Sequence, residues 1–417
     1  MTEKTYPVPL LLDGGTGSEL IRRGLPAGVC TEQWLTEHPQ AILDVQGRYF
    51  AAGADAVLTP TFHCNSLSLA GYGLADRTES LNGAMAALSR QAAGKTGLVL
   101  GDLSPAAVLL EPLGDCTYDR VLDAYGRQVR ALSAAGVDGY LIETAMSLAE
   151  VRALVLAIRD NEPEIGRKPL FVTVTVGRNG RTQLTGSDAL SCLIVLQAMG
   201  VTAFGLNCSL GPAELLTQTR RLAPWAEIPL IAKPNAGMPR VEEGRTVYDC
   251  GPAEFAGYTE ALARSGVEIF GGCCGTEPAH IAALRRALDA LDFAALPPVK
   301  KEAHRLVLAS EKHVFPFDGL PPVTELPCDG TLSDEAEDAP GLIKLRLEDA
   351  SGLEAFREAA PSLDCPVCLE SADPALLERA LLLYSGRACT ANEGGLSPAC
   401  LERLSRRYGL ALLPGGN

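Results

Sequence analysis

Apolar and polar positions along this chain alternate in two registers. Short runs rich in Val, Ile and Leu recur at Leu10–Leu12, Ala56–Thr59, Gly97–Leu100, Gly139–Ile142, Phe171–Val174, Ala203–Leu206, Leu230–Ala232 and Glu268–Phe270. Each is too short for a helix and predominantly apolar, as expected of parallel strands covered on both faces. Longer amphipathic stretches separate them, among them Ala41–Ala52, Tyr118–Ala134, Leu148–Arg159, Asp188–Met199 and Pro252–Arg264. Several close on glycine, the residue that most easily ends a helix. The segments at 135–138 and 265–268, Ala-Gly-Val-Asp and Ser-Gly-Val-Glu, repeat the same order of helix end, glycine and next strand.

Eight strand-then-helix units over roughly 290 residues predict an α/β fold, a closed (β/α)8 TIM barrel; an open doubly wound sheet has the same local pattern. The barrel is favoured by the positions of the chemically useful residues. Asp13, Thr61, Asp102, Glu143, Cys208, Asn235, Cys273 and Cys274 all fall at or just beyond the carboxyl end of an expected strand, the face where barrel enzymes carry their sites.

After residue 295 the pattern changes. Residues 296–340 are proline-rich and include the acidic run Ser333-Asp334-Glu335-Ala336-Glu337-Asp338, which reads as a linker. Residues 341–417 read as a small βα region, with strands at Leu342–Leu347, Pro366–Leu369, Arg387–Thr390 and Leu410–Leu413 and helices at Pro374–Tyr384 and Pro398–Tyr408. A layer this small has bare sheet edges unless it docks on something.

Composition narrows the function. The 417 residues carry a formal charge of −15, which disfavours nucleic acid and anionic membrane surfaces as partners. No charge-free stretch is long enough to span a bilayer, and Met1–Pro9 lacks an apolar signal core, so the expected location is the cytoplasm. Thirteen cysteines then persist as thiols or metal ligands rather than as disulfides.

Three of those cysteines stand apart. Cys273 and Cys274 lie inside Gly271-Gly272-Cys273-Cys274-Gly275-Thr276, and Cys208 ends Gly205-Leu206-Asn207-Cys208. Adjacent side chains on a strand point to opposite faces, so both cysteines can reach one ion only where the backbone turns sharply, which the flanking glycines permit. Three thiolates around Zn²⁺ leave a fourth position for substrate, and a soft, electron-rich site of this kind suits alkyl transfer to sulfur. With five histidines, none in an HExxH or HxH pattern, a histidine-based hydrolytic zinc site is disfavoured. The alternative for these three cysteines is buried packing. Cys30, Cys64, Cys116, Cys192 and Cys250 carry no motif and read as core, although Cys64 follows Thr61-Phe62-His63 near the expected mouth. Cys365-Pro366-Val367-Cys368 sits in an apparent strand and reads as core rather than as a redox pair.

Asp13 opens a glycine-rich turn into a helix, where backbone N–H groups could hold a carboxylate; Asp13 and Glu143 could then hold an ammonium. A helix-capping Asp13 and an ion-paired Glu143 are the structural alternatives.

The segments Leu12–Leu20, Gly53–Asp55, Thr59–Phe62, Ile142–Thr144, Gly205–Cys208, Pro234–Gly237 and Gly271–Thr276, taken in order, resemble the homocysteine S-methyltransferase family, which includes betaine-homocysteine methyltransferase and the homocysteine module of cobalamin-dependent methionine synthase. The likeness covers about residues 8 to 293. It implies a homocysteine thiolate on zinc attacking a methyl group to give methionine, with Cys208, Cys273 and Cys274 as metal ligands and catalytic centre. It also implies Asp13, Gly14 and Glu143 at the amino-acid end of the substrate, and Asn207 and Asn235 as pocket residues. Thr16 and Pro60 depart from the family's usual Met and Asn. The C-terminal region is similar to part of the pterin-binding barrel of methionine synthase through Glu370–Pro374, the helix Ala375–Tyr384 and Ser385–Arg387, with Glu370 where an Asp is usual and Ala391 where a pterin-contacting Asn is usual. The chain has no Asp-x-His-x-x-Gly cobalamin signature, so a methylcobalamin donor implies cobalamin supplied by a corrinoid protein or methionine-synthase modules in trans. Betaine, S-methylmethionine and methylated folate are the other donors to consider. Two other functions fit the same residues: a non-catalytic zinc-binding assembly or regulatory module, and methyl transfer to another small thiol or selenol.

Overall fold

The computed structural model describes residues 6–106, 108–242 and 245–413. Eight parallel strands form one sheet: β1 (Leu10–Leu11), β2 (Ala56–Leu58), β3 (Leu98–Leu103), β4 (Gly139–Ala145), β5 (Leu170–Val174), β6 (Ala203–Asn207), β7 (Leu230–Lys233) and β8 (Val267–Phe270). Each pairs with its sequence neighbour from β2 to β7, β7 pairs with β8, and β8 pairs with β1. A parallel bridge between Leu12 and Ala56 joins β1 to β2 and closes the sheet into the expected barrel. Inside lie Leu10, Leu12, Ala56, Leu58, Leu100, Leu141, Phe171, Ala203, Ile231 and Ile269, the branched filling that makes such a barrel a packed core rather than a pore.

The helices form as their caps and stripes dictate. Tyr118–Ala134 begins at Thr117, whose side chain accepts from Arg120 N, and buries Val121, Ala124, Tyr125, Gln128, Val129 and Leu132 at helical spacing. Gly136 and Gly266 close their helices at φ +80° and +83°, a backbone region that disfavours other residues. The stretch Pro252–Arg264 is two short helices, Pro252–Gly257 and Thr259–Arg264, meeting at Tyr258.

Residues 296–340 are structured over much of their length. Leu306–Ala309 and Val314–Phe317 form an antiparallel hairpin, and the acidic run is the helix Leu332–Asp338, which buries Leu332 and Ala336. Val323–Leu326 opens a five-stranded parallel sheet that continues through Leu342–Arg346, Val367–Glu370, Cys389–Thr390 and Ala411–Leu412. The hairpin packs against one face of that sheet through Leu306, Leu308, Phe315 and Phe317. Cys368 pairs in register with Cys389, not with Cys365, and both are fully buried.

The C-terminal layer docks on helices Leu148–Ile165 and Ala189–Ala198. The second is buried on every side from Ala189 to Leu196, as a helix held between two layers must be. The fully buried Arg152 donates to the carbonyls of Leu382 at 3.3 Å and Leu381 at 2.7 Å, filling acceptors left open at the end of helix Pro374–Leu383. Arg379 pairs with Glu111 at 2.9 Å, and Glu311 accepts from Thr185 and Ser187 of the barrel at 2.7 and 2.5 Å. None of the described helices is long and apolar enough to cross a membrane.

Candidate active site

The carboxyl ends of the barrel strands surround a cavity of about 330 Å³. Past β8 the chain is stitched to both neighbours: Gly271 N donates to Ala232 O, Gly272 N to Asp13 O and Cys273 N to Pro234 O. Gly275 then turns at φ +77° with the Tyr248 ring against it, 2.3 Å from where a Cβ would stand. That turn brings the adjacent cysteines into convergence. Cys208 follows β6 and is tied by its N–H to Lys233 O at 3.2 Å. The Sγ atoms of Cys208, Cys273 and Cys274 lie within 4.8 Å of one another, with Cys208 to Cys274 at 3.8 Å. Zinc–sulfur bonds of ~2.3 Å in tetrahedral geometry place sulfurs roughly 3.8 Å apart, so the donor set fits a thiolate-bound metal ion. The Cys273 and Cys274 thiols hydrogen-bond to Cys208 and hold its thiol well below the usual range, at about 3. Hydrogen bonding with Cys208 pushes Cys274 up to about 11 and Cys273 also upward, so Cys208 is the thiol of the three that gives up its proton most readily.

Asn207 ties this cluster to the wall opposite. Its Nδ2 donates to Thr144 Oγ1 at 2.8 Å and contacts Cys273 Sγ at 3.8 Å, while its Oδ1 accepts from Thr144 N at 3.0 Å. Thr144, Cys208 and Ser209 all have positive φ, at 60°, 60° and 53°. Strained non-glycine backbone of this kind survives only where surrounding contacts enforce it.

Gly14, Glu143, Cys208, Cys273 and Cys274 line the cavity, whereas Asp13, Asn207 and Asn235 are buried behind it. Asp13 does not cap the following helix. Its Oδ2 accepts from Leu58 N at 3.0 Å across the barrel closure, and its Oδ1 has no hydrogen-bond partner. Burial, only partly offset by Lys233, pushes the Asp13 carboxyl up to about 7. The turn after Asp13 is partly occupied, since Gly15 N donates to Thr276 Oγ1 at 3.0 Å. Cys64 is buried and does not reach the cavity; Cys30 does, and its thiol donates to Glu32 at 3.2 Å.

Sequence reasoning missed Lys233. It ends β7 at 2% exposure and its Nζ lies 2.5 Å from Glu143 Oε2. Burial works against its charge, but Glu143 and then Asp13 outweigh burial and hold the ammonium above its ordinary range. The available signal was a lysine closing an apolar strand just before Pro234-Asn235. Tyr248, beside Cys274, was also missed. Its phenol is pushed up by burial and by the Cys274 charge.

A (β/α)8 barrel with a three-thiol cluster open to a cavity at its carboxyl face defines a class of sulfur-directed enzymes. Within that class, the chain belongs to the homocysteine S-methyltransferase family, whose model matches residues 10–288. It is 33% identical to methionine synthase of Mycobacterium tuberculosis (strain ATCC 25618 / H37Rv) over 399 residues, covering 90% of this chain and 31% of that protein. The same identity relates it to methionine synthase of Mycobacterium leprae (strain TN) over 362 residues, covering 84% and 28%. The chain therefore spans about a third of the length of the curated relatives it matches. Among solved structures it resembles the homocysteine methyltransferase MmuM of Escherichia coli in its metallated form, with TM-score 0.55 and 25% identity over 66% of this chain and 95% of that one. The oxidized form of MmuM matches with TM-score 0.54.

Proposed function

We propose that this chain is a zinc-dependent methyltransferase that converts homocysteine to methionine. The observation carrying this reading is the convergence of Cys208, Cys273 and Cys274 on a cavity whose other wall is Glu143 and Lys233. A Zn²⁺ ion held by the three thiolates would supply the Lewis acidity that keeps a substrate thiol deprotonated at neutral pH.

The chain's own residues orient and shield the reactants. Asn207 positions Cys273 and the Thr144 turn; Asn235, buried beside Cys208, hydrogen-bonds to its sulfur and favours the thiolate. Gly14 and Glu143 at the wall, with Asp13 behind them, shape the place for the amino-acid end. Leu20, Leu25, Val29, Phe62 and Tyr72 form an apolar rim that keeps water from the reacting sulfur. In the transfer the thiol proton leaves, a sulfur–carbon bond forms, and the bond from methyl to donor breaks with its electron pair staying on the donor. The resemblance of residues 8 to 293 to the homocysteine module of cobalamin-dependent methionine synthase favours methylcobalamin, presented by a corrinoid protein, as that donor. On this reading residues 1–295 carry the chemistry, 296–340 connect, and 341–417 form a unit that borrows strand Val323–Leu326 and serves partner contact.

The test is one panel: zinc-loaded protein and homocysteine with betaine, S-methylmethionine, methylcobalamin or methylated folate, with methionine measured. Methionine from methylcobalamin, lost together with zinc in Cys273→Ala, is the expected result. No methionine from any donor, or a Cys273→Ala variant that keeps both zinc and transfer, would overturn the proposal.

A further inference from the structure

The loops at the mouth of the barrel are not held by the barrel alone. In the loop after β5, Thr185 Oγ1 and Ser187 Oγ both donate to Glu311 Oε1, at 2.7 and 2.5 Å, and Asp188 N donates to Glu311 O at 3.0 Å. Glu311 lies in the turn of the hairpin formed by Leu306–Ala309 and Val314–Phe317. Ser187 is fully buried and also accepts, at 3.3 Å, from the N–H of Leu148, the first residue of helix Leu148–Ile165. In the first turn of that helix the buried Glu150 accepts from Tyr125 OH at 2.9 Å and from Ala106 N at 2.6 Å, which reaches the loop after β3. The far part of that loop returns to the C-terminal layer, where Glu111 Oε1 accepts from Arg379 Nη2 at 2.9 Å and from Tyr118 N at 3.4 Å.

The network therefore begins and ends in residues beyond 300, and its middle meets the site. Glu143 and Thr144 line the cavity near the end of β4, shortly before Leu148. Thr144 has φ 60°, a strained backbone that persists only where contacts on both sides enforce it. Asn207 supplies one side, and the fixed start of helix Leu148–Ile165 supplies the other. Helices Leu148–Ile165 and Ala189–Ala198 already give the C-terminal layer its apolar seat, whereas Glu311 and Arg379 reach past them to the loops at the mouth. The two ends are unequal. The Arg379–Glu111 pair has 35% and 16% side-chain exposure and weighs less than the bonds to the buried Ser187.

We propose that the C-terminal layer positions the cavity wall of the barrel, with Glu311 and Arg379 as positioning residues that hold the loops after β5 and β3 and, with them, the turn at Glu143 and Thr144. The brace stands on the contacts above; its effect on transfer rests on the homocysteine reading. Neither residue touches a reactant. A displacement of about 1 Å at a reacting centre can cost about a hundredfold in rate, so slack in this wall is read in turnover.

The experiment uses the full zinc-loaded chain and two readouts, amide hydrogen exchange over residues 108–117, 146–151 and 182–188, and methionine formation. Glu311→Ala removes the acceptor of two hydroxyls. Exchange in 146–151 and 182–188 is expected to quicken about tenfold, the worth of a hydrogen bond to a charged group, and transfer to fall about tenfold or more at unchanged zinc content. Glu311→Gln keeps an oxygen that accepts from both hydroxyls and should restore both readouts, a rescue that a role for the charge alone would not give. Arg379→Ala should quicken 108–117 by a smaller factor. Unchanged exchange in Glu311→Ala overturns the brace, and quickened exchange with wild-type turnover overturns the positioning role. Should Glu311→Ala not fold, Arg379→Ala, on its partly exposed pair, decides by the same two readouts. If wild type forms no methionine from any donor, the homocysteine reading falls, and exchange alone then decides whether the layer holds the loops.

Discussion

Lys233→Met removes the cation that faces Glu143, Asp13 and Asp102 and replaces it with an apolar chain of similar length. The pair it breaks is buried, at 2% and 12% side-chain exposure, with Nζ and Oε2 at 2.5 Å. Removing one member of such a pair costs about 3–5 kcal/mol, because the other charge stays behind uncompensated. Glu143 opens onto the cavity, where water can enter, so the lower end, about 3 kcal/mol, applies. With roughly 2.1 cal/mol/K of unfolding entropy per residue over a barrel of about 280 residues, that lowers the melting temperature by about 5 °C. The effect carries a pH signature. Asp13 and Asp102 already have raised carboxyls, and Lys233 is the charge holding them down, so its loss pushes both further up. An acid whose folded pKa exceeds its unfolded one costs stability above the unfolded value, and the cost grows until the folded value is passed. The deficit of Lys233→Met is therefore largest at about pH 8 and fades toward about pH 4 and below, as the unfolded carboxyls take up protons too. Circular dichroism melts of metal-free protein across that range read it directly. A variant within about 0.5 kcal/mol of wild type at both ends would refute the view of Lys233 as the resident counter-ion.

Three further outcomes follow from the same geometry. Changing any one of Cys208, Cys273 or Cys274 to Ala should abolish stoichiometric zinc retention after dialysis, measured by metal analysis, because two sulfurs cannot replace a converging three. In metal-free wild type, stability should fall as pH rises from about 4 to about 7, since Asp13 keeps its proton up to about 7 in the fold and loses it near 4 when unfolded; Asp13→Asn should flatten that slope in denaturant midpoints. Arg152→Met leaves the Leu381 and Leu382 carbonyls without their buried donor and should cost roughly 2–4 kcal/mol, exposing residues 296–340 to limited proteolysis while zinc retention persists.

The barrel was legible because strands covered on both faces are predominantly apolar, and eight such runs appear in order. Strand ends were less legible where strands continue into the site. β3 runs on through Asp102 and Leu103, β4 through Glu143 to Ala145, and β7 through Lys233, so polar residues that belong to strands looked like their boundaries. The segment 296–340 was misjudged for another reason. Val323–Leu326 alternates exposed and half-buried positions at a sheet edge, and Leu332–Asp338 is held by the burial of Leu332 and Ala336 rather than by an apolar stripe. The docking of the C-terminal layer left a trace that sequence reasoning missed: Ala189–Ala198, within a stretch grouped with the amphipathic helices, is apolar nearly all round and is not a surface helix. The cysteines were legible because adjacent thiols between glycines have few structural uses. Lys233 was not, because what distinguishes it is its pairing with Glu143, which comes from another strand.

The sulfur cluster and the substrate wall are not independent features. Asn207 precedes Cys208 on the same strand end, while its amide is spent on Thr144, the residue after Glu143. Both turns carry positive φ on non-glycine residues, a strain of about 1–3 kcal/mol each that would relax if either strand end were free. Each turn therefore holds the other in place through one side chain, and that side chain also reaches Cys273 at 3.8 Å. The ends of β4 and β6 and the turn after β8 are thus fixed relative to one another by a neutral amide that adds no charge to a region already rich in anions. A carboxylate at position 207 would add to that repulsion, and a shorter side chain would uncouple the thiols from Glu143 and Lys233. The distance between the sulfur end and the polar end of the site is in this way set by backbone geometry held through Asn207, independent of whatever fills the cavity.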